Sequence, residues 1–299
     1  MAGAFTAVDL SQLAYPNAVE ALDFETIKAE MLADLAARSA TFTALVESDP
    51  AYKVVEVAAY REMLVRQRAN EAVKAVTLAF AASADLDQIA ARYDVERLLL
   101  EAGDPDAIPP VEATYEDDDS LRRRVQLSFE GFSTAGPEGA YIFHALGADA
   151  DVLDVAVNSP TPGQVIVSVL SRVGSGTASP ELIDAVESVL SADSVRPLTD
   201  QVTVVAGGII TYVVTATLVL FDGPDSSVVL AASQAGMQEY ADQCHRLGRD
   251  VTLSGIYAAL HQPGVQRVAL AAPTASVTTQ FNEAPFCTAI NLTLGGIDD

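Results

Sequence analysis

The chain has no tryptophan, two cysteines, three histidines, and only 17 lysines and arginines against 41 aspartates and glutamates. Each shortage excludes something. Aromatic residues make up 6% of the chain, which leaves little from which to build the stacking platforms of a saccharide cleft. Cys244 and Cys287 form no Cys-x-x-Cys, so neither a disulfide framework nor a cysteine-based zinc centre can be assembled. Two buried free thiols are expected in a cytosolic chain, and the alternative state is a single bond between them. None of His144, His245 and His261 has a second histidine or cysteine at zinc spacing. Cys244 and His245 are neighbours on one helix, about 100° apart around its axis, and cannot act together as nucleophile and base.

A formal net charge of −24 repels nucleic-acid phosphates and anionic membrane surfaces. Partners are therefore expected to be neutral or locally basic protein surfaces, with no nucleic acid and no membrane insertion. No apolar run is long enough to span a bilayer, and the nearest, "IITYVVTATLVLF", is broken by Thr211, Tyr212, Thr215 and Thr217. The opening "MAGAFTAVDLSQ" lacks a basic stretch and a long apolar stretch, so no leader is expected and synthesis is placed in the cytosol.

What is present is a folding chain. Half of its 299 residues are hydrophobic, which suits two or three domains. Residues 23–95 read as helix. Asp23 can cap a segment with an apolar stripe of Phe24, Ile27, Met31, Leu32 and Leu35. Asp49-Pro50 opens a long helix. Val54, Val57, Tyr60, Leu64 and Val65 mark a seam on it that calls for partner helices. Asp85 and Gln88 are spaced as a capping box for a third helix.

Residues 99–118 follow as an acidic, proline-rich linker or extended arm. The pattern then mixes helix and strand. "VLDVAV" and "QVIVSVL" read as strands around a turn, and Ser179-Pro180 caps a helix. "QVTVVA" is a strand, and in "ITYVVTATLVLF" Tyr212, Val214, Ala216, Leu218 and Leu220 alternate with threonines as in a half-buried sheet. The segment around "GAYIFHALG" is echoed in "GIYAALHQPG" 116 residues later, from Gly139 to Gly255. We read this as a duplicated helix-helix-strand-strand unit. The expected fold class is α+β, divided as 1–98 helical region, 99–118 linker, 119–206 middle module and 207–299 C-terminal module.

The motifs that could carry chemistry fall short of it. Gly131 and Gly136 have phosphate-loop spacing, but Pro137 and Glu138 stand where lysine and a hydroxyl residue are required. "GSGTASPE" puts Ser179 at the third glycine of a dinucleotide fingerprint. "DADVLD" puts Pro160 at the twelfth position of a calcium loop, where glutamate belongs. "EDDDSLRRR" reads as an acidic helix start, with Asp118–Arg122 and Asp119–Arg123 as i,i+4 pairs. No catalytic, cofactor or metal residues are assigned.

"GFSTAGPEG" is read instead as a structural elbow made by Gly131, Gly136, Pro137 and Gly139, repeated at Gly248 and Gly255. Gly131 is expected to end a helix at positive φ, and Gly136, before a proline, to be extended. Ser133 or Thr134 would bond the freed backbone. Phe129, Phe132, Tyr141 and Phe143 would pack inside the corner.

Several long segments in order, "DDDSLRRRVQLSFEGFSTAGPEGAYIFHALGADADVLDVAV", "PTPGQVIVSVLS", "LSADSVRPLTDQVTV", "LGRDVTLSGIYAALHQPGVQRVAL" and "FCTAINLTL", resemble the baseplate J-like proteins of contractile tailed phages and related contractile injection particles. The resemblance implies a structural, non-enzymatic wedge component needing no cofactor. It implies these partners: a second copy of itself, a smaller baseplate wedge protein, neighbouring wedges, the hub, and sheath or tail-fibre proteins. It implies N-terminal helices bundled with the smaller partner, a C-terminal module contacting adjacent wedges, and a place in the virion tail after assembly in the host cytoplasm. The alternative reading is a tail-associated cell-wall hydrolase working through paired carboxylates, which the acid content permits and the missing aromatics oppose.

Overall fold

A computed structural model describes residues 8–133, 136–223 and 225–297. The chain divides into two compact units. One runs to Arg97 and takes in Asp117–Val125. The other holds Leu98–Glu116 and the chain from Gln126 onward.

The first unit is helical. Helix α1 (Phe24–Arg38) starts where the Asp23 carboxylate accepts the Thr26 N–H at 2.7 Å, as its N-cap position demands. Helix α2 (Pro50–Ala75) is about 39 Å long at 1.5 Å per residue. Asp49 precedes it but turns its carboxylate back to the Val46 N–H at 2.8 Å. Helix α3 (Ser83–Ala90) begins one turn before the proposed capping box, with Ala82 at its N-cap and no side-chain cap. The start is held in another way. The Asp118 carboxylate accepts the Ser83 N–H at 3.0 Å and pairs with Arg97 at 2.7 Å, while Arg97 also reaches Asp87 at 2.7 Å.

That carboxylate belongs to helix α4 (Asp118–Leu127), whose first N–H groups are capped by Asp117 through Ser120 at 2.9 Å. The bonds seen along α4 differ from the i,i+4 pairing expected of Asp118 and Arg122. Asp118 is taken by Arg97, and Arg122 pairs with Asp119 one position closer. Arg122 also donates to the carbonyls of Leu78 and Ala81, and Arg124 to that of Glu96. The basic half of "EDDDSLRRR" therefore satisfies backbone carbonyls beyond α2 that no helix partner reaches.

In the second unit, strands β1 (Leu99–Glu101) and β2 (Thr114–Tyr115) pair antiparallel, and Asp104 and Val111 form a bridge further out. Residues 99–118 thus begin as a narrow two-stranded arm. After it come helix α5 (Glu138–Leu146), strands β3 (Val152–Asn158) and β4 (Gln164–Ser171), helix α6 (Pro180–Leu190) and strand β5 (Gln201–Ala206). Strand β4 is central. It pairs antiparallel with β3 and parallel with β5, the return being made by α6, since parallel neighbours need a crossover. Helix α6 starts at the Ser179 hydroxyl, which accepts the Leu182 N–H at 3.2 Å. It buries Leu182, Val186 and Leu190, one residue per turn, in a core shared with Val165, Val167 and Val169.

Strand β6 (Gly208–Leu220), helices α7 (Ser226–Cys244) and α8 (Leu253–Leu260), and strands β7 (Val265–Ala272) and β8 (Glu283–Ile297) form the last module. The alternation read in β6 holds: Tyr212, Val214, Ala216, Leu218 and Leu220 are all buried, in a core with Met237, Cys244, Ile256 and Leu260. Cys244 and Cys287 are free thiols.

Both modules consist of a central strand between one antiparallel and one parallel neighbour. The chain visits them differently. In the middle module the central strand β4 follows the antiparallel strand β3. In the last module the central strand β6 comes first, before α7 and α8. Strand β4 therefore corresponds in position to β6 and not to β8. The echo read from Gly139 and Gly255 aligns α5–β3 with α8–β7, and the central strands fall outside it.

Candidate functional site

The sequence marks two features as candidate sites: the outer face of α2 and the glycine corner. Helix α2 has a single buried residue, Ala59, and an inner row of partly buried Tyr52, Val55 and Met63. Val54, Val57, Tyr60, Leu64 and Val65 all face outward, 69%, 63%, 50%, 37% and 69% exposed. The seam is not purely apolar. At 100° per residue Arg61 and Arg68 fall among these side chains, between Val57 and Val65 on the helical wheel, and both are exposed. The outward face of α2 therefore combines valines with guanidinium groups on a chain that is otherwise strongly acidic.

The corner differs from the expected one in its mechanism. Helix α4 stops at Leu127, and a tight 3₁₀ turn, Glu130–Phe132, carries Gly131. Gly131 is not among the residues with positive φ; Gly136 is, at +71°. The proline after Gly136 removes helical conformations from it, and glycine alone reaches the left-handed region without cost. Gly131 is needed for a different reason, because a Cβ there would enter the ring of Phe143. At Gly139 a Cβ would stand 2.8 Å from Glu130 Cγ, and at Gly136 it would stand 2.6 Å from Pro197 Cγ. Phe129 and Phe132 do not fill the corner; they are 67% and 75% exposed. Tyr141 does, donating its hydroxyl to Asp200 at 2.8 Å. Thr134 lies outside the described residues.

Pro137 precedes α5 as its N-cap residue, at φ −65° and ψ 154°. His144, on α5, lies 3.3 Å through Nε2 from the Gly131 carbonyl. Burial pushes its pKa down, and the carbonyl contact only partly offsets this. Burial, with Asp200 alongside, pushes the Tyr141 hydroxyl up, so it stays a donor.

At the second corner Gly248 takes φ +73° and its N–H donates to the Glu283 carbonyl at 2.8 Å. Gly255 sits where a Cβ would overlap the Tyr240 hydroxyl, so it allows α7 and α8 to meet. Gly248 shares a positive φ with Gly136, and Gly255, like Gly139, sits where a Cβ would meet a side chain.

One feature was not read from sequence. The middle and last modules meet at a joint around Gly207. The Gly207 N–H donates to Val169 O and the Gly208 N–H to Asn282 O, both at 2.8 Å. Consecutive strand N–H groups point to opposite sides, so β5 and β6 run on through the joint with β4 on one flank and β8 on the other. The buried Asp154 carboxylate of β3 accepts the Leu247 N–H at 2.9 Å. His245 Nδ1–H donates to Pro285 O at 2.8 Å. Nothing in local periodicity marks Asp154, an acid inside a strand, as a cross-module acceptor.

The acids of "EDDD" are used in capping and pairing, and the glycines at 131, 136 and 139 in close packing. The class these observations suit is a structural protein, whose named residues cap, pair and pack beside an exposed helix face. Known proteins give the class a family. The Baseplate J-like N-terminal domain matches residues 47–104, the Baseplate J-like central domain 133–206, and the Baseplate J-like protein C-terminal domain 212–293. The chain belongs to the Baseplate J-like family, which is structural and not enzymatic. Baseplate protein J of Escherichia phage P2 is 46% identical over 299 residues, 98% of this chain and 99% of that one. A chain in the cryo-EM structure of the anti-feeding prophage (AFP) baseplate, 6-fold symmetrised, matches with a TM-score of 0.42 and 18% identity. That match covers 59% of this chain and 43% of the other, and it is too loose to carry an argument.

Proposed function

We propose that this protein is a wedge component of the baseplate of a contractile phage tail. It assembles with a second copy of itself and a smaller wedge protein, and it joins neighbouring wedges into a ring that takes part in the switch for sheath contraction. The observation that carries this reading is end-to-end kinship with the phage P2 baseplate protein J, 46% identical across 98% of the chain. The outward face of α2 supports it, since a row of valines more than half exposed calls for covering helices. The residues 1–98 are the partner-binding part in this reading, and 207–299 the part that meets adjacent wedges. The protein resides in the virion tail after assembly in the host cytoplasm.

Co-expression with the smaller wedge protein, followed by size-exclusion chromatography with light scattering, tests the proposal. A defined complex containing two copies of this chain is expected, along with self-association of the chain produced alone. A compact monomer at high concentration that ignores the smaller protein would overturn it. The wall-hydrolase alternative has no support in a structural family, and a cell-wall turbidity assay should show no clearing.

A further inference from the structure

The arm at residues 99–116 is more apolar than its place in the chain explains. Leu99, Leu100, Val111 and Tyr115 are 46%, 38%, 52% and 54% exposed, and Ile108 near its tip is 99% exposed. A two-stranded ribbon is marginal in water without a third strand or a packed face, and these side chains are the ones that would pack. The pairing is short, with Leu99 opposite Tyr115, Glu101 opposite Thr114, and one further bridge between Asp104 and Val111. The shape is nonetheless defined. Gly103 lets the two sides approach so closely that a Cβ would stand 2.6 Å from Ala113 N and 2.7 Å from Val111 O.

Charge narrows what can cover the arm. From Leu99 to Glu116 it holds Glu101, Asp104, Asp106, Glu112 and Glu116 and no lysine, arginine or histidine. Glu116 is buried at the base, and the other four carboxylates flank the exposed apolar side chains. A surface that takes this arm must offer apolar contact at its centre and positive charge at its edges, because like charges there would cost several kcal/mol.

We propose that the arm is a docking element that seats Ile108 and its neighbours in an apolar groove, rimmed by lysine or arginine, on a different polypeptide of the same particle. This rests on the baseplate reading above, and it adds a second contact besides the α2 face. Within this chain the outer face of α2 does pair exposed valines with Arg61 and Arg68, but in the baseplate reading that face is covered by the smaller wedge protein, which leaves a different polypeptide as the occupant.

A photo-cross-linking residue at position 108, in particles purified from cells supplying this full-length variant, tests the proposal. Whether the chain is present in the particle tests the baseplate reading separately. Given its presence, one dominant cross-link is expected, to a site with lysine or arginine flanking apolar residues on another protein. A cross-link to a second copy of this chain, or none, would overturn the arm proposal. Ile108→Glu and the double variant Glu101→Lys with Glu112→Lys change exposed side chains only. Both should fold with unchanged melting temperature, and both should lower particle yield at least tenfold. Normal particle yield from either would also overturn it. Raising salt from 0.05 to 0.5 M during assembly should weaken the contact in the unaltered protein, as screening predicts, and should do so much less in a Glu101→Gln, Glu112→Gln, Asp106→Asn variant, which keeps only Asp104 of the four flanking carboxylates.

Discussion

At the scale of single residues the corner is governed by volume more than by dihedral strain. Because a Cβ at position 131 would overlap the Phe143 ring, Gly131→Ala and Gly131→Val should both destabilise, by about 1–3 kcal/mol as overpacking does. A Phe143→Leu change made in the Gly131→Ala background should recover part of the loss. Backbone strain would give no such rescue, so a double-mutant cycle read by denaturant unfolding separates the two causes. Ser133→Ala should stay within about 0.5 kcal/mol. His144 adds a pH dependence. Its folded pKa lies below the ordinary value of about 6.5, so the unfolded chain binds more protons in that window. Stability should therefore be full above about pH 6.5 and decline as pH falls through the window toward the folded pKa. His144→Gln should flatten that slope in thermal melts run at pH values stepping down from about 6.5.

At the scale of elements, α2 faces two environments. Its inner row packs with α1, and its outer row carries Val54, Val57 and Val65 into solvent. Replacing those three valines by serine should leave the melting temperature nearly unchanged, since exposed positions away from caps and cores have small effects. It should abolish co-purification with the smaller wedge protein. A pull-down in which the triple variant binds normally would remove α2 from the interface. Helix α3 depends on a different device. Arg97 is 16% exposed and bonds both Asp87 and Asp118 at 2.7 Å. Arg97→Ala should cost about 1.5–3 kcal/mol, the usual value for hydrogen bonds to charged groups. It should also increase amide exchange at residues 83–90.

At the scale of the whole molecule the joint at Gly207 decides how many pieces can move within the second unit. Asp154 accepts from Leu247 while β5 and β6 continue through Gly207, so the middle and last modules should behave as one body. Asp154→Ala leaves the Leu247 N–H without its acceptor, at a cost of about 1–3 kcal/mol. Calorimetry should then resolve separate transitions for the two modules where the unaltered chain shows them merged. A single transition in the variant would show that the strand crossing holds them together alone.

Local chemistry was legible along the chain. The caps at Asp23 and Ser179 and the alternation through Tyr212 to Leu220 follow from residue type and spacing, which act over a turn or a strand. The α+β class and the exposed valines of α2 were legible for the same reason. What depends on distant partners was not. Asp118 turned to Arg97 and not to Arg122, Arg122 and Arg124 served loop carbonyls, and Phe129 and Phe132 stayed outside the corner. The positive φ fell on Gly136, and Gly131 is required instead by the Phe143 ring packed against it. The matching of β4 with β6, and the role of Asp154, needed the sheets themselves. Composition and period determine which faces are apolar and where the helices begin. Which partner meets each face is decided by close packing between residues far apart in sequence, and only the tertiary structure contains that.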